Sequence, residues 1–172
     1  MAAQQIQMTS EQRARAMNII WFAMILGVVV FAIVASVIGL QQEPKDGMPL
    51  MTYVGMGMAA FMLGVSLIVP NIIANQQFQA AMQRGQFETE EDKKQFMTDL
   101  EQVYMTKFLI GMALIEGGAF LNLVFLLVEG QVLAYIPVAV LVLCMIAGKP
   151  SQAKLEAWIR YQMETYNLEN QN

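Results

Sequence analysis

Glu116 is the residue whose position asks for a chemical reason. It is the only charged side chain between Lys107 and Glu129 and lies nine residues beyond Lys107, about 13 Å along a helix at 1.5 Å per residue. In a helix that crosses a bilayer this is close to the centre, where an acidic residue costs about 2.5–3.5 kcal/mol. Desolvation at that depth favours the neutral acid over the carboxylate. An acid there has two uses: a neutral hydrogen-bonding group that fixes helix packing, or a group that exchanges a proton or another ion. No Arg or Lys lies at matching depth in another apolar run. The best candidate partner is Ser66, because Pro70, four residues on, has no N–H to donate to the Ser66 carbonyl. Glu116 and Ser66 are therefore the candidate ion-binding residues.

Small residues surround this position. Gly117 and Gly118 follow the acid, and Ala113–Gly117, Gly55–Ala59 and Ala60–Gly64 have the small-xxx-small spacing that lets helix backbones approach in membranes. Other chemistry finds little material. With no histidine and one cysteine, ordinary zinc sites and an internal disulfide are excluded, and no metal or cofactor is expected. Carboxylate pairs or a Ser–Lys arrangement at one depth are not visible, so an enzyme is not expected. Cys144 falls inside an apolar run, where a thiol is inert. Ten basic against fourteen acidic residues give a net charge of −4, which offers no footprint for nucleic acid.

The elements that hold Glu116 follow from where charge is missing. Of 172 residues 56% are hydrophobic and 14% charged, and the mean hydropathy is +0.45; lipid is the medium this composition suits. A spanning helix needs about 20 apolar residues. Four stretches approach that: 17–40, 50–74, 105–128 and 131–148, the last the shortest and interrupted by Pro137. Helices are required because hydrocarbon offers an unpaired backbone group no partner. An uncleaved first span is favoured over a signal peptide, because its apolar run is longer than a signal core of about 7–15 residues.

Basic residues orient the spans. Arg13 and Arg15 precede the first, Arg84, Lys93, Lys94 and Lys107 lie between the second and third, and Lys149, Lys154 and Arg160 follow the fourth; only Lys45 lies on the other side. That bias puts both termini and the central loop in the cytoplasm, and an inner-membrane location follows.

Residues 75–104 read as a helical hairpin projecting into the cytoplasm. Gly85 suits the end of its first arm. Thr89, followed by Glu90, Glu91 and Asp92, suits the start of its second. Phe96, Leu100, Val103 and Tyr104 continue at helical spacing into the third span; their seam either zips the two arms together or docks a partner. Ser151 can cap a last helix over 151–167, with Leu155, Trp158, Ile159, Met163 and Tyr166 on one face, which reads as an amphipathic helix lying on the membrane surface. Thr9 and Gln12 have capping-box spacing at the first helix. No internal repeat is evident, so an inverted-repeat transporter is not supported.

The stretch from Leu109 to Leu127, with Gly111-Met-Ala-Leu-Ile-Glu116-Gly-Gly inside it, resembles the second helix of the proteolipid subunit c of rotary ATP synthases. The resemblance implies that Glu116 is an ion-binding carboxylate. It covers about 20 residues, and the short Arg-Gln-Pro loop of that family corresponds here to Arg84-Gly85-Gln86 within a longer connection. The chain as a whole is similar to uncharacterised four-span bacterial membrane proteins that carry an Ala-Leu-x-Glu-Gly motif. Met58-x-x-x-Met62 with Met48-x-x-Met51 resembles the copper-permeation helix of Ctr-type transporters, since thioethers suit Cu(I), although Met is also ordinary packing material.

The sequence thus predicts an all-α integral membrane four-helix bundle with a cytoplasmic helical hairpin and a C-terminal amphipathic interfacial helix. Its expected role is non-enzymatic, structural or accessory, with membrane lipid around it and a homo-oligomer or membrane-protein partner; the alternative is a proton- or ion-translocating component using Glu116.

Overall fold

The computed structural model describes residues 10–39, 41, 48–84 and 89–169. The chain forms α1 (Ser10–Gly39), α2 (Leu50–Arg84), α3 (Glu90–Glu129), a 3-10 turn (Val132–Ala134), α4 (Tyr135–Ala147) and α5 (Gln152–Glu169), with no strand among the described residues. The expected helix stop at Gly85, the Thr9 capping residue and the Tyr166 side chain lie outside the described residues.

Helix length explains the shape. α3 has 40 residues and α2 has 35, about 60 and 52 Å at 1.5 Å per residue, well beyond the roughly 30 Å of a hydrocarbon core. α1, α2 and α3 are long and apolar enough to cross a membrane. α4 has 13 residues and reaches that standard only together with α5, across a bend of 78°. The fourth stretch is therefore a shorter helix than its charge-free run suggested, because the run opens with the 3-10 turn and closes at Gly148, Lys149 and Pro150.

α3 is the central helix, packing against α1, α2 and α4. One core, in the apolar part, gathers Val28 and Ala35 of α1, Ala59 of α2, Met112, Ala119, Leu123 and Leu126 of α3, and Val138, Leu141 and Met145 of α4. A second lies where α2 and α3 extend as the hairpin: Met17, Phe78, Met82, Phe96, Leu100, Tyr104, Leu155 and Ile159. Of the two readings of the hairpin seam, the structure shows the zip.

α5 departs from its sequence reading. Its apolar face, expected against the membrane surface, is covered by protein: Leu155 and Ile159 are buried in the second core. The 78° bend after α4 swings α5 across the base of the hairpin, where the Trp158 ring meets Tyr104 at 5.7 Å between centroids and Gln162 Nε2 donates to Asn75 Oδ1 at 3.1 Å. The N-terminal turn of α1 is tied to the same region: Arg13 donates to the Thr98 carbonyl and pairs with Glu101, both at 2.9 Å.

Helix ends are satisfied locally. At α3, Thr89 Oγ1 accepts from Asp92 N–H at 3.1 Å while Asp92 Oδ2 accepts from Thr89 N–H at 3.0 Å, a reciprocal capping box. At its other end Gly130, at φ 66°, takes the left-handed position and its N–H returns to Leu126 O. The last carbonyls of α4 receive Gly148 N–H at Cys144, the Trp21 indole N–H at Met145 (2.8 Å), Lys149 N–H at Ile146 and the Lys154 ammonium at Ala147. A short helix thereby ends without orphaned acceptors.

Candidate functional site

Glu116 lies on the face of α3 turned toward α1. A Cβ added at Gly27 would stand 3.7 Å from Glu116 Oε1 and 3.9 Å from Phe120 Cζ, at ordinary contact distance, so Gly27 of α1 directly faces the carboxyl. One turn further, Phe120 meets Phe31 edge-on at 5.3 Å. The acid is half-buried and makes no hydrogen bond or ion pair among the described residues.

Ser66 lies elsewhere. It is buried on α2, its hydroxyl donates to Leu63 O at 2.7 Å, and its carbonyl faces Gly111, where an added Cβ would stand 3.7 Å away with Pro70 Cγ at 3.6 Å. Glu116 and Ser66 thus meet different neighbours on different faces of α3 and are not brought together. The mismatch is rotational: five residues from 111 to 116 turn a helix by about 500°, so the face of α3 that meets Ser66 and the face that carries Glu116 lie about 140° apart.

The small-residue positions divide between inside and outside. Gly55 and Ala59 face α3; a Cβ at Gly55 would come within 2.6 Å of Asn122 Oδ1 and 2.7 Å of Phe125 Cδ2, and Ala59 is 4% exposed. Gly118 is packed against Leu141 and Met62, with 3.3 and 3.4 Å left for a Cβ. Ala60, Gly64, Ala113 and Gly117 are exposed, and an added Cβ at Gly64 or Gly117 would meet nothing within 4 Å.

Three polar arrangements escaped the sequence reading. Asn122, fully buried in the middle of an apolar run, donates from Nδ2 to Gly55 O at 3.1 Å and to Gly118 O at 2.9 Å, and its Oδ1 accepts no hydrogen bond among the described residues. A neutral amide without a formal charge did not register in a search for charges. Glu129 closes the far end of the hairpin: its carboxylate accepts from Met51 N–H (2.8 Å), Thr52 N–H (2.8 Å) and the Thr52 hydroxyl (2.7 Å). It therefore caps the start of α2, where unpaired N–H groups and the helix dipole favour a negative charge. The signal was present as a Thr in the first turn of one helix and a Glu in the last turn of its antiparallel neighbour. Across the bundle Tyr135 OH bonds Ser36 Oγ, which donates on to Ala32 O.

At the hairpin end, aromatic and basic side chains share one level. Lys107 Nζ lies 5.6 Å from the Trp158 ring centroid, and Lys149 Nζ lies 5.6 Å from that of Trp21. Lys107 and Glu129 stand about 33 Å apart along α3 at 1.5 Å per residue, one hydrocarbon thickness.

No group of three or more metal-binding side chains occurs among the described residues. In comparisons with known proteins, no family model, curated protein or solved structure matches this chain.

Proposed function

We propose that this chain is a multi-pass inner-membrane protein with a non-enzymatic, structural or accessory role, assembling laterally with a second copy or another membrane protein. Both termini and the hairpin of α2 and α3 lie in the cytoplasm in this reading, supported by nine of ten basic residues falling on that side. The observation that carries the assembly role is the outward placement of Ala60–Gly64 and Ala113–Gly117. Small pairs turned away from the chain's own core offer another helix close backbone approach. The hairpin, zipped by its own core and braced by α1 and α5, adds a stalk of fixed shape beyond the membrane.

The test is the size of the detergent-extracted complex. Gly64→Leu and Gly117→Leu, at positions where an added Cβ meets nothing within 4 Å, are expected to shift it to a smaller species, while Ala139→Leu, at an exposed position of α4, is expected to leave it unchanged. A wild-type protein that extracts as a monomer, or Leu variants of unaltered size, would refute this role.

A second reading, an ion- or proton-translocating component, is favoured by one observation: Glu116 is half-buried in α3 with no partner among the described residues. The local likeness to the proteolipid subunit c points the same way. It requires pH-dependent reaction of Glu116 with a hydrophobic carbodiimide, abolished in Glu116→Gln. Labelling without pH dependence, with Glu116→Gln assembling normally, counts against it.

A further inference from the structure

Beside Pro70, α2, α3 and Gly148 at the close of α4 line an open recess of about 260 Å³ whose walls include Leu67, Pro70, Tyr104, Lys107 and Ile115. Lys107 is half-buried there, and no carboxylate pairs with it among the described residues; its one recorded neighbour is the face of Trp158. Tyr104 is 9% exposed, and its hydroxyl makes no hydrogen bond among the described residues. The other polar side chains of the wall, Ser66 and Asn71, donate to carbonyls of their own helix; a cation and a hydroxyl donor both lacking an acceptor, beside apolar side chains, is a pairing that suits an anion carrying hydrocarbon. The level suits it too. Trp21, Trp158 and Lys149 lie at the same end of the bundle, the belt of aromatic and basic side chains found at headgroups, and basic recesses between helices on that side hold lipid headgroups.

We propose that this recess binds an anionic phospholipid, with its phosphate against Lys107 and Tyr104 and an acyl chain along Leu67 and Ile115. The inference rests on the membrane reading above. Because Trp158 belongs to α5, the lysine that would meet the headgroup also meets the helix that braces the stalk.

The test is native mass spectrometry of the delipidated full chain, titrated with phosphatidylglycerol or phosphatidylcholine. One lysine near a headgroup is expected to give phosphatidylglycerol about a fivefold advantage in the first bound lipid. Lys107→Gln is expected to abolish that advantage, Lys107→Arg to keep it, Tyr104→Phe to reduce it, and Lys94→Gln on the exposed stalk to leave it unaltered. Equal retention of the two lipids by wild type, or an advantage undiminished in Lys107→Gln, would overturn the proposal. Displacement of phosphatidylglycerol by millimolar inorganic phosphate would reassign the site to a soluble anion and overturn the lipid as its source. A chain that stays dissolved without detergent would refute the membrane reading itself, and it would do so before any lipid is added.

Discussion

Gly55 and Gly57 are two residues apart on one helix, yet a methyl group has opposite consequences at each. At Gly55 it would overlap Asn122 Oδ1 and Phe125, so Gly55→Ala is expected to cost about 1–3 kcal/mol through overpacking. It would also disturb the contact by which Asn122 holds the Gly55 carbonyl. At Gly57 a Cβ meets nothing within 4 Å, and Gly57→Ala is expected to be neutral or stabilising by up to about 1 kcal/mol, since Ala is the better helix former. Reversible unfolding in mixed micelles reads both. Glu129→Ala removes the carboxylate that caps α2 and is expected to cost about 1–2 kcal/mol by the same assay. At this scale the sequence was half legible. Glu116 stood out because a lone charge in an apolar run is conspicuous, but its partner was assigned from the Ser66 carbonyl that Pro70 leaves without a donor, and that argument ignores rotation about the helix axis. Gly27, which faces the acid, carries no chemical signal. Its meaning appears only once α1 is laid against α3.

α5 shows what an amphipathic pattern does and does not specify. Leu155, Trp158, Ile159 and Met163 mark one apolar face, but a face says that something covers it, not whether lipid or protein does so. The bend after α4 settles the matter by carrying that face onto the hairpin. Leu155→Ala with Ile159→Ala is therefore expected to undock α5 and speed tryptic cleavage at Arg160 by at least about tenfold, equivalent to 1.4 kcal/mol of lost docking. A helix held by lipid would show no such acceleration in detergent, where the wild type would already be cleaved quickly. The hairpin was more legible than α5, because its apolar positions continue the periodicity of α2 and α3 without a break. α4 was less legible: a charge-free run reports where a span is permitted and does not count the residues taken up by the turns at its two ends.

For the whole molecule, α1, α2 and α3 are long and apolar enough to cross a membrane, and the proposed orientation rests on the placement of charge. α2 and α3 are too long to be contained in hydrocarbon, and the buried apolar side chains of the surplus gather where the two arms, α1 and α5 meet. The apolar surface turned outward elsewhere, including Phe22, Ile33, Phe61 and Leu143, is too extensive for a water-soluble monomer. Composition made the long apolar helices legible from the sequence, whereas the arrangement of neighbours around α3 was not, because four apolar stretches carry no instruction about which packs on which. That order rests on local fits such as Gly39 against the Leu126 carbonyl and Trp21 on the end of α4. The most direct measurement is thiol accessibility in intact cells, using single cysteines placed in a Cys144→Ala background at exposed Gln83 on the hairpin and at Met48 before α2. With lipid between them, the Met48 position should react with an impermeant maleimide from outside, and the Gln83 position should react only after the inner membrane is opened. Equal labelling of the two positions in intact cells, or release of the protein from vesicles by carbonate, would contradict a membrane-spanning chain.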